Sequence, residues 1–352
     1  MKNLSAPLVL LLIAISLSPI VFSAWLLNQA NAHIARAASL PADSPNRAVA
    51  IDQANVSLGS ANVPRVAIAQ ARVALLRGEA SRAVESLRTS GSALRDDAIA
   101  QMLWADAEWQ SSNQAAAFEK WRAAGAIEFF TNEANRARDR HQWQAMAQAA
   151  RIAVGIAPER AEAHYALGDA LSQLSLNDPA ALPELGRAAE LARDNEFLST
   201  VLSRQGEILV AQGNLSAAFN LFERAMSMAP RDARPRTDYA RALWQSQPDA
   251  RDRAEAMLKQ SIAMAPWDVT AFITLAQIAE SRGDASGAED WYSQGLTRNA
   301  NNARLLFARG EFYARQNRID DAKINFVLAL KSATRADELQ EISRALEKLN
   351  AP

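Results

Sequence analysis

In the stretch GNLSAAFNLFERAMSMAP, residues 213–230, a small residue, a bulky one and another small one stand at Ala218, Phe222 and Ala225. The spacing i, i+4, i+7 places all three on one face of a helix, and Pro230 ends that helix. The same triad can be laid out seven more times, at Ala83/Leu87/Ser90, Ala117/Trp121/Ala124, Met146/Ala150/Ala153, Ala181/Leu185/Ala188, Ala254/Leu258/Ser261, Ala288/Tyr292/Gly295 and Ala322/Phe326/Ala329. Steps between first members are 34, 29, 35, 37, 36, 34 and 34 residues from the N-terminal end. A second apolar run precedes each triad with its own small residue, in turn Ala71, Ala105, Ala134, Gly168, Gly206, Ala240, Ala276 and Gly310. Turns such as LLRGEA (75–80), VAQGNL (210–215) and ESRGDA (280–285) separate the runs, with a glycine able to take the left-handed conformation that closes a helix. Each unit reads helix, turn, helix.

Small residues let neighbouring helices approach, and the bulky Phe, Tyr, Leu or Trp of one helix fills the space opposite the Gly or Ala of another. With this pattern over residues 64–336, closest at 199–336, the chain resembles the tetratricopeptide repeat (TPR) family, and specifically its membrane-anchored bacterial-type members. The family's 34-residue unit has a small residue in the first helix, Gly at the turn, small–aromatic–small in the second helix and a closing Pro. The expected fold is all-α, an α-solenoid of about eight TPR-like hairpins with a capping helix at its C-terminus and a transmembrane helix before it. Residues 63–160 read as degenerate repeats: one step shortens to 29, and His141 stands where a turn glycine belongs. Residues 161–335 read as TPR repeats, although Pro179 and Pro183 crowd a longer link. In 336–352, Leu339, Ile342, Leu346 and Leu349 recur at helical intervals among charges, as a cap over the last repeat requires.

The resemblance also implies a ligand surface, because first helices line the concave side of such a stack. The residue after each small first-helix residue is polar in all eight units: Arg72, Asp106, Asn135, Asp169, Glu207, Arg241, Gln277 and Glu311. One turn away on the same face lie Tyr165, Trp244, Glu280, Phe307 and Arg315, and aromatic and Arg anchors dominate many interfaces. Some members clamp a partner's C-terminal carboxylate with Lys and Asn. Here those places hold Thr131 with Asn135, Ser203 with Glu207 and Thr237 with Arg241, so that clamp is missing.

Between Lys2 and Arg36 no charged residue occurs, and APLVLLLIAISLSPIVFSAWLL (6–27) has the length to cross a bilayer. Residues 1–30 are therefore expected to anchor the chain as an uncleaved signal, with Trp25 at the interface and the repeats outside the cytoplasm. Cleavage after VFS (21–23) or ANA (30–32) would instead release a secreted protein. Residues 31–62, rich in Asn, Ser, Ala and Pro, read as a linker with at most a short helix at 47–58.

Composition removes several functions. A net charge of −1 with interspersed signs gives no footprint for nucleic acid. The absence of cysteine excludes disulfides and thiolate sites. His33, His141 and His164 have no second ligand at helical spacing, and HExxH, Walker and GxGxxG patterns are missing. His164 reads as a packed side chain, and Asp96, Asp97, Asp320 and Asp321 as helix-start residues. No catalytic residue, metal or cofactor is expected, and an enzyme is disfavoured. The reading is a membrane-anchored scaffold that docks protein or peptide partners in an envelope assembly. The alternative is an accessory part of extracellular polysaccharide or cell-wall synthesis, touching glycan through Trp104, Trp109, Trp121 and Trp143.

Overall fold

The computed structural model describes residues 19–59, 65–90, 94 and 96–350. Nineteen α-helices and no strand occur among them. Two compact units divide the chain, residues 1–130 with 155–157 and residues 131–154 with 158–352.

In the first unit, α1 (Pro19–Ala38) pairs with α2 (Pro45–Gly59), α3 (Val66–Leu76) with α4 (Ala80–Thr89), and α5 (Ala98–Gln110) with α6 (Gln114–Ala123). Within the expected linker over 31–62, the short helix placed at 47–58 is present as Pro45–Gly59, whereas residues 31–38, read as linker, continue α1. Ala30, Ile34 and Ala37 carry the i, i+4, i+7 triad, and they pack with Ala50, Ile51, Ala54 and Leu58 and with Ala69 and Val73 of α3. No described helix is long and apolar enough to cross a membrane. Residues 6–18 of the candidate span lie outside the described residues, and 19–27 form the start of α1.

Further along are α7 (Ile127–Asp139) and α8 (Trp143–Ile156), followed in the second unit by α9 (Ala161–Leu174) with α10 (Ala181–Leu191), α11 (Asn195–Ala211) with α12 (Leu215–Met228), and α13 (Arg234–Ser246) with α14 (Arg251–Met264). Then come α15 (Val269–Ser281) with α16 (Ala285–Arg298), α17 (Ala303–Arg315) with α18 (Ile319–Ser332), and a closing α19 (Ala336–Asn350) against α18. Ile342 of α19 is buried against the Phe312 and Phe326 cluster, so this helix covers the flank of the last pair.

All eight small first-helix residues are buried, and so are all members of the eight triads except Ser90 and Ala124, which are half-buried. The helices nest as the pattern requires. A Cβ added to Gly310 would stand 2.6 Å from the Phe326 ring, and one added to Gly168 would stand 2.7 Å from Leu185. Polar starts fix the helix ends: Asp97, Asp194, Asp268, Asp284 and Asn302 each accept hydrogen bonds from the first turns of α5, α11, α15, α16 and α17. At the turns, Gly213 has φ 79° and the following Asn214 N–H reaches back to Leu209 O at 2.8 Å. His141 adopts φ 54°, and Gln142 N–H donates to Ala137 O at 2.9 Å in the same closure.

Candidate functional site

Successive first helices of the second unit touch one another, α9 to α11, α11 to α13, α13 to α15 and α15 to α17. The nearest neighbours of α10, α12, α14 and α16 are instead the first helices of their own and the following pair. The first-helix side is thus the tighter side of this stack, and α9, α11, α13, α15 and α17 form its inner wall.

Charges on that wall connect each pair to the next. Arg204 of α11 meets Asp169 of α9 at 2.8 Å and Glu207 of its own helix at 2.8 Å. Glu207 receives Arg241 of α13 at 2.9 Å, and Arg241 also meets Asp238 at 3.3 Å. Thr237 donates to Asp268 at the start of α15 over 2.6 Å. Arg304 of α17 donates to Thr270 at 3.2 Å, and Arg315 grips Glu280 with two hydrogen bonds of 2.8 Å. Most of these contacts span 31–35 residues, so the repeat period of the core recurs as a ladder of polar rungs.

The candidate residues divide in two. Asp169, Glu207, Arg241, Glu280 and Arg315 are rungs, held in place by their neighbours. Burial pushes the Asp169 carboxyl up, against the opposing pull of Arg204. Tyr165 sits edge-on to Phe197, 5.7 Å between ring centres, and burial, with help from Asp169, raises its hydroxyl to about 12. Trp244 is half-buried against the core around Tyr239 and Leu243. Gln277 is half-buried and Glu311 is exposed, so these two present polar groups outward. Phe307 lies 5.4 Å from Phe326 and, with Glu311, Arg315, Glu341, Arg344 and Lys348, lines a cleft of about 460 Å³ between α17 and α19. In the first unit, Asp106 accepts from Trp121 Nε1 at 3.2 Å, which ties it to the core.

Sequence reasoning overlooked Arg204 and Asp238. The signal was there: Arg204/Glu207 and Asp238/Arg241 are i, i+3 pairs of inverted sign one repeat apart, so stacking sets Glu207 opposite Arg241. Burial first, then Glu207 and Asp268, push the Asp238 carboxyl up to about 7, and Arg241 and Arg234 only partly oppose this. A recess of about 170 Å³ lined by Tyr165, Thr200, Ser203, Arg204, Glu207, Asp232, Arg234 and Asp238 opens beside it.

His164 is a satisfied core histidine, with Nδ1 2.6 Å from Glu184 and Nε2 2.9 Å from Pro158 O. Trp109 and Trp121 pack 5.6 Å apart, and Lys120 lies 3.8 Å over Trp104. Trp121 is buried, and Trp104, Trp109 and Trp143 are half-buried.

Fold and wall together define a class, an all-α protein of stacked TPR-like helical pairs. No protein-family model and no curated protein matches the chain. Among solved structures, a tetratricopeptide repeat protein from Parabacteroides merdae is similar at 16% identity and TM-score 0.48, covering 82% of this chain and 99% of that one. PilW, described as a type IV pilus biogenesis factor, is similar at 18% identity and TM-score 0.47, covering 62% of this chain and 98% of its own. PilF of Pseudomonas aeruginosa shows 18% identity and TM-score 0.44, covering 63% and 98%.

Proposed function

We propose that this protein is a docking scaffold whose inner wall of first helices receives protein partners in an envelope assembly, without bond chemistry. The observation that carries the reading is the polar column: eight buried small residues are each followed by a polar side chain, and in the second unit those side chains line one wall. A rigid wall with its charges already fixed lowers the ordering cost of binding. On this reading residues 6–27 hold the chain to a membrane and the helical pairs work outside the cytoplasm, which the charge-free run between Lys2 and Arg36 supports.

The test is crosslinking in intact membranes followed by recovery of partners, with Gln277→Arg and Glu311→Arg combined. These two project from the wall without serving as rungs, so folding is expected to survive. Partner recovery falls on the proposal. Recovery equal to the parent, with the helical signal retained, removes the wall as the docking surface.

A further inference from the structure

We infer that the recess between α9, α11 and α13 is a seat for a primary ammonium group, the lysine side chain of a docking partner, held by Asp238, Ser203 and Glu207. The inference rests on the docking reading of the wall and adds the chemistry of what docks there.

Ser203 points to a missing guest. It is 8% exposed, it lines the recess, and its Oγ has no hydrogen-bond partner. A buried hydroxyl left unmatched is costly, and such groups call for an explanation.

The charges agree on the sign of that guest. Within the recess, Arg234 is committed to Asp232, reaching its two oxygens at 2.8–3.2 Å. Arg204 is committed to Asp169 and Glu207. Among the described residues Asp238 pairs with Arg241 alone, at 3.3 Å, and Arg241 is shared with Glu207 at 2.9 Å. Around Asp238 stand Tyr165 and Asp169 from α9, Arg204 and Glu207 from α11, Asp232 before α13, Arg234 and Arg241 on α13, Asp268 at α15 and Arg304 on α17. Arg138 also acts on Asp169, so this wider ring balances at five carboxylates and five guanidiniums, whereas the recess lining itself sets Glu207, Asp232 and Asp238 against Arg204 and Arg234 alone. An incoming anion would meet carboxylates beside arginines already engaged, whereas a cation supplies the absent counter-charge. An ammonium brings three donors, and Asp238, Ser203 Oγ and Glu207 offer three acceptors. Nineteen per cent of the Asp238 side chain remains accessible, an opening through which the guest enters.

Binding an ammonium favours the ionised form of Asp238. The carboxyl, up at about 7 in the free protein, is mostly ionised at pH 8 and mostly neutral at pH 6. Affinity for a cation accordingly falls about tenfold between those two values.

The test uses the full chain in detergent and n-butylammonium chloride as the probe, with sodium butyrate and n-butanol as comparators at constant ionic strength, read by saturation-transfer NMR. Butylammonium is expected to bind in preference to both comparators. Its affinity is expected to fall about tenfold from pH 8 to pH 6, and by about tenfold in Asp238→Asn, the loss of one charge contact. Ser203→Ala, which leaves every rung in place, is expected to weaken binding severalfold. Equal binding of butyrate or butanol, or unchanged affinity in folded Asp238→Asn, overturns the assignment. If butylammonium does not bind while partner recovery still depends on Gln277 and Glu311, the lysine seat is wrong and the docking wall stands.

Discussion

Gly206 and Phe222 leave no room between them for a methyl group: a Cβ at 206 would lie 2.7 Å from the Phe222 ring. Overfilling costs about 1–3 kcal/mol, while replacing a helical glycine by alanine returns up to about 1 kcal/mol. Gly206→Ala is therefore expected to destabilise by about 1–2 kcal/mol in urea melts. Adding Phe222→Leu reproduces the Ala240 and Leu258 pair of the next repeat and is expected to recover much of the loss. Ala218→Trp, at a fully buried triad position, has no such relief and is expected to lower the melting temperature sharply. An unchanged melt for Ala218→Trp would refute the register.

The rung at Arg204 predicts strong coupling. Its side chain is 16% exposed and that of Asp169 is 10% exposed, so removing either leaves a buried charge. Arg204→Met is expected to cost about 3–5 kcal/mol, and adding Asp169→Leu is expected to restore most of it. The check is a double-mutant cycle by chemical denaturation, in which additive losses would contradict the rung.

Asp238 makes stability depend on pH in a direction unusual for a carboxylate. The folded chain keeps this proton up to about pH 7, whereas an unfolded aspartate releases it near ~4. Between those values the folded state binds more protons, so the group's stabilising share is full at low pH and drains away as pH rises through the window, by about 1.4 kcal/mol per unit at most. Asp238→Asn is expected to remove that slope. Urea midpoints of parent and variant from pH 4 to pH 8 should diverge, the variant being the more stable at the alkaline end.

At Asp268 one carboxylate accepts from Ala271 N–H at 3.2 Å and from the Thr237 hydroxyl at 2.6 Å. Asp268→Ala removes a helix cap and a link between repeats, an expected loss of about 1–2 kcal/mol. Asp268→Asn keeps one acceptor oxygen for the Ala271 N–H and can turn its amide N–H toward the Thr237 hydroxyl oxygen, so it is expected to fall short of that loss, as thermal melts of the two variants would show.

The core was readable because its rule is local. Ala218, Phe222 and Ala225 declare a buried face within eight residues, and the rule holds where Leu87 or Leu185 replaces the aromatic. His141 was recognisable as the turn residue by position alone, and its φ of 54° follows from that place. The hairpin of α1 and α2 was missed although Ala30, Ile34 and Ala37 carry the same triad, because the Asn, Ser, Ala and Pro of residues 28–62 mimic a tether's composition. The rungs were missed for another reason. Whether Arg204 meets Asp169 or points into water depends on the stagger of two helices 35 residues apart, which no window of sequence contains.

Helix α1 runs from Pro19 to Ala38 without interruption, a rod of about 30 Å. Its first nine residues complete the apolar run, and its Ala30, Ile34 and Ala37 are clasped by α2 and α3. A swivel has no place along that rod, so any tilt of its leading end turns the neighbouring hairpins like a key turned by its shank.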